Sequence, residues 1–186
     1  MPQEHTALMA QPIAIAGSSL LRTEAIADCA RFSLRIAPEH LTVASKALRC
    51  TLPSKIGAVE ISGGRMVICL GPDEWQLYAP VIENETIQSA FSKLYAKCPH
   101  SLVDVGHREI GISVEGTAAV LALRSACAFD LETMAPGTGT RTIFDKAQII
   151  LIRHGHDRFR IEVWRSFTSH VWGLLQAASR EIALGI

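Results

Sequence analysis

One nine-residue pattern occurs twice in this chain. Residues 71–79 read GPDEWQLYA and residues 155–163 read GHDRFRIEV. Each sets a Gly-x-Asp turn before an aromatic residue and then alternates polar with apolar positions, as a half-buried strand after a tight turn does. The flanking sequence repeats as well. In the first copy RFSLRIAP (31–38) alternates with period two, and EHLTVASKALRC carries Leu41, Ala44, Ala47 and Leu48 on one helical stripe. AVEISGGRMVICLG gives two apolar runs around a Gly-Gly turn, and NETIQSAFSKLYAKC predicts a helix capped by Asn84, with Ile87, Phe91, Leu94 and Tyr95 on its apolar face.

The second copy keeps the order. REIGISVEG (108–116) predicts a strand and TAAVLALRSACAFDL a helix capped by Thr117. TRTIFDKAQIILIRHG and DRFRIEVWR pair around HGHD, and SFTSHVWGLLQAASREI closes the copy as a helix capped by Ser166. Phe32 and Ile110 are 78 apart and Gly71 and Gly155 are 84 apart, so the extra residues fall in the connection containing ETMAPGTGT. The expected fold is α+β: tandem β-α-β-β-α units, ferredoxin-like halves with antiparallel sheets and helices on one face. SLVDVGH between the copies either closes the first sheet or begins the second. With no linker in view, residues 29–186 read as one compact domain of two repeats, about 29–101 and 102–186. Residues 1–28 fall outside the duplication as an N-terminal arm or strand.

Charge narrows the function. Lys and Arg number 18 against 18 Asp and Glu, and no basic run exceeds two residues. Nucleic-acid and membrane-surface roles need a concentrated positive field, so neither is expected. Arg124 interrupts AVLALRSACAF well short of a bilayer span, and the N-terminal IAIAGSSLL lacks the basic lead of a signal peptide. A cytoplasmic protein is expected. The mean hydropathy of +0.22 implies a generous core or apolar surface meant for a partner. Five cysteines (Cys29, Cys50, Cys69, Cys98 and Cys127) sit among aliphatic neighbours and never as C-x-x-C, which reads as buried thiols.

Few residues in the sequence form a pattern that chemistry needs. His154 and His156 flank Gly155 without further ligands nearby, which reads as a turn and not a metal site. Asp104 and His107 stand close together in DVGHRE, yet they point to opposite sides of a strand and have no nucleophile beside them. MAPGTGTR has neither the spacing of a dinucleotide fingerprint nor a phosphate-loop GK[ST]. No catalytic, cofactor-binding or metal residue is assigned. Trp and Arg dominate protein interfaces, which makes Arg108, Arg141, Trp164 and Arg165 the candidate partner contacts.

Five segments together carry a family resemblance: LGPDEW (70–75), VDVGHR (103–108), CAFDL (127–131), TRTIFDKAQIIL (140–151) and WRSFTSHVWGLL (164–175). In this order and spacing they resemble the gamma subunit of heterotetrameric sarcosine oxidase, whose members show GPDEW, VDVSHR, C-x-x-DL, an RT strand start and an RSFA..LW..L helix. The resemblance spans roughly residues 30–183. It implies an aminomethyltransferase-like, folate-binding fold family and a subunit without catalytic groups that packs on the large alpha subunit. It also implies a complex that converts sarcosine, oxygen and tetrahydrofolate into glycine, peroxide and methylene-tetrahydrofolate. FAD, FMN, NAD and tetrahydrofolate are then held by the alpha and beta subunits. Three positions depart from the pattern: Gly106 replaces Ser, Thr168 replaces Ala, and CAFDL replaces CPLDL. A KGCYxGQE-type motif of folate-dependent relatives is absent, so folate binding is not carried over. Two other readings remain: a stand-alone aminomethyltransferase-like protein binding tetrahydrofolate or another pteridine, and an acid–base enzyme using Asp104 and His107.

Overall fold

The computed structural model describes residues 20–185. They form two five-stranded antiparallel sheets and four α-helices, divided between two compact units. The first unit takes in Asp28–Glu109 with Gly137–Thr140. The second takes in the described residues up to Ala27, then Ile110–Pro136 and the chain from Arg141 onward.

In chain order the elements are β1 (Arg22–Ala25), β2 (Ala30–Ile36), α1 (Leu41–Leu48), β3 (Val59–Ser62), β4 (Arg65–Gly71), β5 (Glu74–Ala79) and α2 (Asn84–Leu94). Then follow β6 (His100–Asp104), β7 (Glu109–Glu115), α3 (Ala119–Arg124), β8 (Thr138–Phe144), β9 (Ala147–Gly155), β10 (Arg158–Trp164) and α4 (Arg165–Leu184). The sheet orders are β6-β2-β5-β4-β3 and β1-β7-β10-β9-β8. Position by position these are the same topology, with five strands per unit because Ser62–Arg65 and Phe144–Ala147 each close a tight hairpin.

Units and sequence copies do not coincide. β1 precedes β2 in the chain as β6 precedes β7, 78 residues later. Yet β6 pairs with β2, Leu34 opposite Leu102, while β1 pairs with β7, Thr23 opposite Val114. The leading strands of the two copies are exchanged between the sheets. SLVDV therefore closes the first unit's sheet, and the strand within the expected N-terminal arm completes the second unit's. Residues 1–19 of that arm lie outside the described residues.

Helices cover one face of each sheet, as the 3.6-residue periodicity requires. In the first unit Ala44 and Leu48 of α1 and Ile87 and Phe91 of α2 pack with Phe32, Leu34 and Trp75. In the second, Ala122 and Leu123 of α3 and Val171 and Leu175 of α4 pack with Phe144, Phe159 and Ile161. Trp75 and Phe159, the aromatics of the repeated pattern, are each 1% exposed. Tyr95 departs from the expected apolar face. α2 ends at Leu94, and the tyrosine beyond it is exposed and stacks edge-on with His100 at 5.6 Å.

Three expected helix caps are absent. α3 begins after Ala118 and not at Thr117, α2 begins at Asn84 itself, and α4 begins directly after Trp164; none has a side-chain cap. The Asn84 carboxamide is engaged elsewhere, donating to Asp104 Oδ2 at 2.7 Å and accepting from Gln88. α3 also stops at Arg124, well before CAFDL ends, because Cys127 bridges to Phe144 and Ala126 O accepts from the Asp145 N–H. Those bonds draw the segment into the sheet edge in place of a helical ladder.

Candidate partner-binding surface

Of the two acid–base candidates, Asp104 is committed to structure. Asp104 ends β6 and accepts from the Gly106 N–H at 2.8 Å through Oδ1, while Oδ2 takes the Asn84 amide. This is an Asx-type turn, and a Cβ at residue 106 would sit 3.1 Å from the same Oδ1. Gly106 thus lies against the aspartate that shapes the turn. His107 is exposed in that turn. Asp104 and His107, expected on opposite sides of one strand, are separated by the strand's end.

His154 lies near the end of β9, and His156 is exposed in the turn beyond, 2.6 Å from Asp157. Burial, reinforced by the positive charges of Arg160 and Arg158, holds the His154 imidazole below its ordinary 6.5. Two arginines beside an imidazole repel a metal cation. No group of three or more metal-ligating side chains occurs among the described residues. Four cysteines are buried, and burial pushes the thiols of Cys50, Cys69, Cys98 and Cys127 up; Cys29 is half-buried. A raised thiol carries little nucleophilic thiolate at neutral pH.

The face of each sheet away from its helices holds polar side chains that strand alternation marks as exposed but that are in fact buried. In the first unit Gln76 donates to Glu109 at 2.7 Å, and Arg31 donates to Asp28 and to Cys29 O. In the second, Arg160 Nε donates to Glu162 at 2.6 Å, with Glu162 2% exposed. Gly111 makes room for that carboxylate: a Cβ there would stand 2.8 Å from Glu162 Oε1. These charges are paired and hydrogen-bonded, which is what allows their burial. The signal for covered second faces was present in the uninterrupted runs MVICL and IILI.

One end of that face in the second unit is open to solvent. The two-residue turn Asp145–Lys146 places Phe144 beside Ala147, both fully buried, so Ile143 and Gln148 share the opposite face. Val163 opposes Ile149 on the core side, which brings Trp164 onto the same face as Gln148. Ile143 is 52% and Trp164 41% exposed, and Gln148 is exposed between them. Arg141, exposed, lies two residues before Ile143 on β8, and Arg165 opens α4 immediately after Trp164. Three of the four candidate contacts therefore belong to one unit. Arg108 belongs to the other, in the turn before β7, where its guanidinium lies 3.5 Å from Glu109.

No helix among the described residues is long and apolar enough to cross a membrane. The duplicated α+β architecture matches aminomethyltransferase T of the glycine cleavage system from Bartonella henselae with a TM-score of 0.65, covering 87% of this chain and 46% of that one. At 13% identity this likeness concerns the fold alone. Residues 35–181 match the model of the "Sarcosine oxidase, gamma subunit family", and the chain belongs to that family. It is 30% identical to the sarcosine oxidase subunit gamma of Corynebacterium sp. (strain U-96), over 96% of this chain and 89% of that protein. The Arthrobacter sp. subunit gamma is 29% identical over 98% of this chain and 90% of its own length. Among solved structures, the heterotetrameric sarcosine oxidase from Corynebacterium sp. U-96 in complex with pyrrole 2-carboxylate aligns with a TM-score of 0.78. That match is 28% identical and covers 95% of this chain and 91% of the other.

Proposed function

We propose that this chain works as a non-catalytic gamma subunit of a heterotetrameric sarcosine oxidase, docking on the large alpha subunit. The observation that carries the reading is the match, nearly end to end on both sides, to a chain of such an oxidase. The site supports it: Asp104 is held in a turn, while the exposed Trp164 and Arg165 are of the residue types that anchor interfaces. The complex oxidatively demethylates sarcosine to glycine, reduces oxygen to peroxide and passes the one-carbon unit to tetrahydrofolate. FAD, FMN, NAD and tetrahydrofolate reside in the alpha and beta subunits, and Arg108, Arg141, Trp164 and Arg165 contribute to the contact. A native pull-down with visible spectra tests this. The bait should bring down two larger, flavin-coloured chains and be colourless alone; a flavin band on the isolated chain, or a bait without companions, would refute it.

A further inference from the structure

We infer that one water molecule is bound between β1 and α4, held by Thr23, Gln176 and Ser179. Thr23 lies on β1 and is 9% exposed. Its Oγ1 is withdrawn from solvent and meets no hydrogen-bonding group of the protein. Thr23 borders a cavity of about 10 Å³ whose other walls are Trp172, Leu175, Gln176 and Ser179.

Size and charge select the occupant. A cavity needs about 10–15 Å³ to hold one water, so an organic molecule does not fit. The lining offers two hydroxyls and a carboxamide, which both donate and accept, and no carboxylate to neutralise a cation. A neutral molecule that donates and accepts in turn is what these groups satisfy. The bridge turns a buried, unpaired hydroxyl into a paired one, and it ties β1 to α4 in addition to the four residue pairs β1 makes with β7.

High-resolution diffraction from crystals of the full chain tests the assignment. Water density is expected within about 3.2 Å of Thr23 Oγ1 and of a polar atom of Gln176 or Ser179. A site without that density overturns the inference. Thr23→Val provides a solution readout, since valine keeps the shape and drops the hydroxyl. If water bridges the hydroxyl, the thermal midpoint falls with Thr23→Val and is better kept by Thr23→Ser. A Thr23→Val midpoint at or above that of the parent protein marks an unbridged hydroxyl and overturns the proposal.

Discussion

Trp75 in the first unit and Phe159 in the second occupy matching places in the repeated pattern, and they differ by one hydrogen-bond donor. The Trp75 indole fills the core and also donates to Pro53 O at 2.8 Å, tying down the connection between α1 and β3. Phe159 can only fill space. In its unit the donor role passes to Arg153, whose guanidinium lies 5.1 Å from the Phe159 ring centroid. Arg153 donates to Leu131 O at 2.9 Å and Met134 O at 2.6 Å in the long connection before β8, and to His156 O at 2.7 Å. The longer connection, which contains ETMAP, takes more donors. Duplication thus preserved the need to anchor that connection and not the residue that does it.

Deleting either aromatic should have the largest effect. Trp75→Ala and Phe159→Ala should each cost about 3–5 kcal/mol in urea unfolding, as for other buried aromatics. A loss below about 1 kcal/mol for both would contradict the shared core role. Arg153→Met should come next, at roughly 2–4 kcal/mol, because several buried carbonyls lose their donor together. Trp75→Phe removes a single donor and should cost only about 1–2 kcal/mol by the same measurement. If Trp75→Phe proved the costlier of the two, the proposed division of labour would be wrong.

The smallest difference is set by pH. The lowered pKa of His154 means that the unfolded chain binds its proton more readily than the folded one. Its contribution is therefore fully present above the ordinary 6.5 and is lost as pH falls below it, toward the folded value. A stability–pH curve should slope downward on acidification just below pH 6.5, and His154→Gln should flatten that slope. An unchanged slope would place the proton uptake elsewhere.

Much of this fold is legible in the sequence because its periodicities are strong. The paired turns, the alternation in RFSLRI and RFRIEV and the stripe of α1 all have a local physical cause. The exchange of β1 and β6 does not. Each strand is too short to state its partner, and the pairing is decided by contacts about 90 residues apart for β1 with β7. The burial of the Arg160–Glu162 pair was signalled only by the IILI run on the neighbouring strand, since alternation along its own strand assigns both to an exposed face. Trp164 and Arg165 were recognisable as interface residue types. That Ile143 shares a sheet face with Trp164 required the strand order.

Assembly with and without this chain tests the central claim most directly. The two larger oxidase chains should be coexpressed alone, with this chain, and with its Trp164→Ala variant, then followed by copurification and oxidase activity. The account predicts that the intact chain joins the larger two. It also predicts that Trp164→Ala weakens the association by about 2 kcal/mol while the isolated variant stays folded. Full assembly and full activity in the absence of this chain would contradict it.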